Sequence, residues 1–125
     1  MKKLFFLPAL VLMLISIACT KDEEGEKINS NLTGSWIGTY TGDDRGVWTV
    51  NVSSTGKVTG TATSSYTSDS ADIKGEVSDN GALSATLGNS EDRSFVGQLR
   101  EDNEATGTWI DERRDQDGTW TGSKQ

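Results

Sequence analysis

The feature that most constrains this chain is a five-residue pattern that keeps returning: apolar, any residue, glycine, any residue, apolar. It reads Trp36-Ile37-Gly38-Thr39-Tyr40, Val58-Thr59-Gly60-Thr61-Ala62 and Ile73-Lys74-Gly75-Glu76-Val77. It returns as Phe95-Val96-Gly97-Gln98-Leu99 and Ala105-Thr106-Gly107-Thr108-Trp109, and in part as Trp120-Thr121-Gly122. In a β-strand, residues i, i+2 and i+4 share one face. The apolar residues and the glycines therefore share a face, and mostly Thr, Lys, Glu, Gln and Ser take the other. Trp48/Val50/Val52 and Leu83/Ala85/Leu87 obey the same alternation without a glycine. No segment repeats its apolar residues at helical spacing, and 14 glycines are too many for helices.

Turn-forming clusters separate these segments about every ten residues, the mark of an all-β domain. The spacing predicts eight strands, at 34–41, 47–54, 57–64, 71–78, 82–88, 94–100, 105–111 and 118–124. Asn80-Gly81 is a strong hairpin signal. Eight sequential strands suit an antiparallel up-and-down meander closing into a small barrel, which removes exposed edges. A two-sheet β-sandwich is the alternative. In a barrel, the first strand (opening Gly34-Ser35-Trp36) and the last (opening Gly118-Thr119-Trp120) become antiparallel neighbours. A glycine on the inner face lets the strand bend and leaves room for a neighbour's ring.

Alternating strand direction sorts the inward residues by end. One end collects Trp36, Val52, Val58, Val77, Leu83, Leu99 and Ala105, and is mostly aliphatic. The other collects Tyr40, Trp48, Ala62, Ile73, Leu87, Phe95, Trp109 and Trp120. Tight turns are expected at the aliphatic end. Longer loops are expected at the aromatic end, around 42–46, 64–70, 88–93 and 111–117, carrying Arg45, Arg93, Arg113 and Arg114.

The N-terminus has a different character. Lys2-Lys3 precede an apolar run from Leu4 to Ile17, which is too short for a membrane span and has the length of a signal-peptide core. The run ends in Ser16-Ile17-Ala18-Cys19, and Cys19 is the chain's single cysteine. This resembles the lipobox of bacterial lipoproteins, with Ser16 where that family usually has Leu. The resemblance implies a signal peptide at 1–18, acylation of Cys19 by diacylglycerol and fatty-acyl chains such as palmitate, and attachment to a membrane. Thr20-Lys21-Asp22-Glu23-Glu24 resembles the export tag of Bacteroidota surface lipoproteins, which implies the outer membrane and its exposed face. Residues 19–33 read as a flexible acidic tether, and 34–125 as the barrel domain.

Composition narrows the function. The chain has no histidine, which excludes His-assisted nucleophiles and, with Cys19 acylated, His/Cys zinc sites. The net charge is −7, and loss of the Lys2/Lys3 leader makes it more negative, so nucleic acid is not an expected partner. The acid pairs Asp43/Asp44, Glu91/Asp92, Glu101/Asp102 and Asp111/Glu112 read as solvated turn residues, not as the two carboxyls of a cleft enzyme. Asp115-Gln116-Asp117-Gly118 has the middle of a calcium loop, but Arg113 stands where an acid is needed and no terminal Glu follows. No catalytic residue, metal or cofactor is expected. Asp69-Ser70-Ala71 resembles the O-glycosylation sequon of Bacteroidota, with Ser70 as acceptor.

The Gly34-Ser35-Trp36 opening and the asymmetry of the two ends resemble the calycins, the lipocalins and avidins. In those families the tripeptide lies near a closed end and ligands enter the opposite mouth. This domain is shorter and lacks a clear arginine on the last strand to pack over Trp36; Lys124 faces inward there but is not its equivalent. The reading is a non-catalytic binding module. Tyr40, Trp48, Tyr66, Phe95, Trp109 and Trp120 would meet a small apolar, planar or sugar-like ligand, and Arg45, Arg93 and Arg113 would bond its polar groups. The alternative is an accessory envelope lipoprotein whose rings fill the barrel. In that reading Ile37, Val96 and Ile110, the few outward apolar residues, would seed a protein contact.

Overall fold

A computed structural model describes residues 26–88 and 90–125. The signal peptide expected at 1–18 and Cys19 lie outside the described residues. Eight strands follow one another: β1 (Gly34–Gly42), β2 (Gly46–Val52), β3 (Lys57–Ser64), β4 (Ser70–Val77), β5 (Ala82–Leu87), β6 (Ser90–Leu99), β7 (Glu104–Asp111) and β8 (Gln116–Lys124). They form a closed antiparallel barrel in sequence order. Closure is made by β1 on β8, with Trp36 opposite Lys124 and Tyr40 opposite Trp120. The barrel is thus the outcome, not the sandwich.

The interior is ordered by the ring-and-glycine rule. Three pairs of glycines face each other across strands: Gly38 with Gly122, Gly42 with Gly118, and Gly97 with Gly107. A Cβ on Gly38 or Gly122 would run into the Trp48 ring, and one on Gly97 or Gly107 into the Trp120 ring. Each indole therefore lies against bare backbone. Trp48, Phe95 and Trp120 form one cluster, with Phe95 stacked on Trp120 at 4.6 Å and Trp48 edge-on to Trp120 at 5.2 Å. Their indole N–H groups are satisfied, Trp48 Nε1 donating to the Thr39 carbonyl and Trp120 Nε1 to those of Val96 and Thr108. Gly107→Ala should cost about 1–3 kcal/mol or more, because the added methyl would meet both the Val96 backbone carbonyl and the Trp120 ring. Trp120→Phe should relieve only the ring's share of that cost, since the contact with the Val96 carbonyl remains. Urea denaturation of the two single variants and the double variant checks both statements.

The aliphatic end is sealed by a segment expected to be tether. Residues 30–32 make a single 3-10 turn, and Leu32 is 1% exposed beneath the barrel. The Leu32 carbonyl accepts from Trp36 Nε1 at 3.0 Å. Asn29 and Asn31 both donate to Glu101 Oε1, Lys124 Nζ donates to the Asn31 carbonyl, and Ile28 packs against the core. Residues 28–33 belong to the domain, so a tether running from Cys19 ends earlier than 33. The cause is tertiary: Leu32 is the apolar cap over Trp36.

One smaller expectation is also corrected. The connections at the two ends do not differ systematically in length: 53–56, 78–81 and 100–103 at one, 43–45, 65–69, 88–89 and 112–115 at the other. Asn80-Gly81 turns the chain between the antiparallel β4 and β5 as expected, with Gly81 at φ 90°.

The outer face is lined mainly by Thr, Ser and charged residues. Among the described residues no helix is long and apolar enough to cross a membrane. The strands do not show the outward apolar band that a lipid-facing barrel carries. The exposed large apolar residues are Ile37, Val47, Tyr66 and Ile110. Ile37 and Val47 are diagonal neighbours on β1 and β2, whereas Ile110 lies diagonal to Val96 on β6 and β7. Ile37, Val96 and Ile110 therefore do not form one patch.

Candidate functional site

The period-two rule does not stop at the last apolar residue of each strand. Two residues beyond Ala62 on the inner face stands Ser64, and two beyond Trp109 stands Asp111. Two before Phe95 stands Arg93, and two before Gly118 stands Gln116. All four line a cleft of about 280 Å³ at the aromatic end, with Tyr40, Ala62, Ala71, Leu87, Phe95 and Trp109 as its floor and walls. The cleft begins where apolar filling ends. Below it the Trp48–Phe95–Trp120 cluster closes the barrel, so the interior is filled in its middle and open at one mouth.

Arg93 and Asp111 are direct cross-strand partners. Asp111 is 3% exposed, which an unpaired carboxylate would not tolerate. Its Oδ2 lies 3.2 Å from Arg93 Nε and 3.9 Å from Arg114 Nε, while its Oδ1 accepts the Arg113 backbone N–H. The Arg93 Nε–H has no directed acceptor among the described residues, despite the short separation. That contact is a charge pairing, not an aligned hydrogen bond. Arg93 reaches the mouth because the β5–β6 ladder is interrupted. Thr86 pairs with Ser94 but Leu87 with Ser90, so residues 91–93 leave β5 and Arg93 pairs with β7 instead. Bulges of this kind re-aim side chains at the rims of barrels.

The other half of the rim is built around Ser64. Its hydroxyl donates to Asp44 Oδ1 at 2.9 Å and accepts the backbone N–H groups of Tyr66 and Thr67. Ser65 N–H donates to the Arg45 carbonyl, which ties the β1–β2 and β3–β4 loops together. Thr67, Asp69 and Ser70 complete this side.

Tyr40 sits between the two halves, edge-on to Trp109 at 5.7 Å. Burial raises its phenol pKa, the Asp44 charge adds to the rise, and Arg93 works against it. A phenol with a raised folded-state pKa contributes stability that is present below the unfolded value and lost as pH climbs through the folded one. Thermal stability of the wild type should therefore fall more steeply above about pH 10 than that of Tyr40→Phe. Melting temperatures across an alkaline pH series check this.

Of the nine binding residues expected from sequence, Tyr40, Phe95, Trp109 and Arg93 come together in the cleft. Trp48 and Trp120 do not line it, being core residues at 2% and 1% exposure. Tyr66 is 66% exposed and stands outside the cleft, with the Arg45 guanidinium 5.7 Å from its ring centre. Arg113 is exposed and off the cleft, and its neighbour Arg114 takes the rim position. Ser70 lies on the rim, its hydroxyl bonded to Thr63 at 2.9 Å. Sequence reasoning missed Asp44, Ser64, Asp111 and Gln116. The signal that finds three of them is the inward alternation carried one step past the last apolar residue. Among the described residues no group of three or more acidic, His or Cys side chains is placed to hold a metal ion. No protein-family profile, curated protein or solved structure matches this chain.

Proposed function

We propose that this chain is a lipid-anchored envelope protein of the outer membrane, and that its barrel binds a small molecule at the open mouth without chemistry. The observation that carries the binding reading is the one-ended interior: a cleft of about 280 Å³ with an apolar floor and a charged rim, opposite an end capped by Leu32. Small-molecule sites combine apolar walls with a few fixed polar groups, and this cleft lies near the lower end of their sizes. The chain enters the domain at the capped end. An anchor at Cys19 would hold that end towards the membrane and the mouth away from it. A glycan on Ser70 would stand on the rim, where it would screen one side of the mouth.

Two experiments test this reading. Metabolic labelling with a palmitate analogue should mark the wild type and not Cys19→Ala, and equal labelling would contradict the anchor. A broad metabolite panel, read by tryptophan fluorescence and melting temperature, should give at least one compound that raises the melting temperature. A panel that changes neither signal would contradict the binding reading. It would favour the accessory reading, which the filled Trp48–Phe95–Trp120 layer supports.

A further inference from the structure

The charges around the mouth are separated by side, and that separation limits what would satisfy them. On the β6–β8 half, Arg93 and Arg114 share one carboxylate, Asp111, leaving one excess positive charge. Both arginines line the cleft, and the Arg93 Nε–H has no directed acceptor among the described residues. On the β1–β4 half the lining groups are Asp44 and Asp69 with Ser64, Thr67 and Ser70, and no basic side chain lines that half. Asp44, Asp69, Arg93 and Arg114 all line the same cleft of about 280 Å³, so one small molecule in it would face both charges.

We propose, resting on the binding reading above, that the mouth takes a small zwitterion: a free α-amino acid with an apolar, flat side chain. Its carboxylate meets Arg93 and Arg114, whose guanidiniums bond carboxylates in bidentate fashion. Its ammonium meets Asp44 and Asp69. Its side chain lies on Trp109, Phe95 and Leu87, with Ala62 and Ala71 leaving the room. A monocarboxylate would turn its apolar part towards the acidic half, and a simple cation would leave the arginines unanswered. A neutral sugar would desolvate both halves without pairing either charge. The cleft volume, about 280 Å³, suits an amino acid and not an oligosaccharide.

Calorimetric titration of the full chain tests this with four probes: L-phenylalanine, its N-acetyl derivative, its amide and glucose. The expected result is that phenylalanine binds, and that each blocked derivative is weaker by about tenfold or more, the loss of one charge-assisted pair. Arg114→Gln should weaken phenylalanine and narrow the gap to the amide. This variant should still fold, since the Arg114 side chain is 61% exposed. Equal binding of phenylalanine and either derivative overturns the zwitterion. Binding of glucose alone overturns it too, while leaving a binding mouth in place. If none of the four probes binds and the broad panel also gives nothing, the mouth and the zwitterion fail together. If the panel yields only ligands lacking one of the two charges, the zwitterion alone fails.

Discussion

Trp120→Ala is expected to remove about 3–5 kcal/mol of folding stability, the upper range for truncating a buried aromatic. The size follows from what the ring does. Trp120 is 1% exposed, stacks on Phe95 within 6° of parallel, and meets Trp48 edge-on. Its indole covers the Gly97/Gly107 pair, where no side chain exists to move into the space it leaves. The Val96 and Thr108 carbonyls lose their indole donor in the same step. Small domains are stable by about 5–15 kcal/mol, so the variant should sit close to the edge of folding. Trp120→Phe should cost clearly less, because it keeps the stack and loses only the outer ring and the N–H. Chemical denaturation of both variants checks the order. A loss below about 1 kcal/mol for the alanine variant would mean that the ring-and-glycine packing is not what holds the barrel.

Leu32→Ala should cost about 2–3 kcal/mol, the lower part of the range for a buried leucine, because the site lies at a barrel end where water can enter. The residue is 1% exposed and its backbone carbonyl caps the Trp36 indole. The variant should also expose Trp36, seen as a red-shifted emission. Ile28→Ala, on a partly buried neighbour, should cost less. An unchanged denaturation midpoint for Leu32→Ala would return residues 28–33 to the tether.

Most of the fold is legible in the sequence, because one physical rule repeats along it. Alternation places Trp36, Val52, Val58, Val77, Leu83 and Leu99 at one end, and all are buried there. The ring-and-glycine complementarity is legible for the same reason, as is closure between the Gly34-Ser35-Trp36 and Gly118-Thr119-Trp120 strands. Leu32 is not legible. A single leucine after Asn29-Ser30-Asn31 has no periodicity of its own, and its segment is held at the barrel end by the Trp36 indole and by the bonds of Asn29 and Asn31 to Glu101, about 70 residues away. The mouth is partly legible. Tyr40, Phe95 and Trp109 follow from alternation. Asp111 and Arg93 read as loop charges because a polar residue gives no hydrophobic signal, although both stand in inward register. Trp48 and Trp120 mislead in the opposite sense: aromatic content marks the layer, but depth within it depends on which glycines each ring covers.

The central claim is a barrel that, among the described residues, is capped at one end by Leu32 and filled in its middle, with its interior open to solvent at the other mouth. Methyl NMR in the presence of a small neutral nitroxide tests it without assuming any ligand. The methyls of Ala62, Ala71 and Leu87, which line the cleft, should broaden strongly. Those of Val52, Val58 and Val77, inside the capped end, should remain sharp. Equal protection of both sets, or broadening at the capped end, would contradict the account.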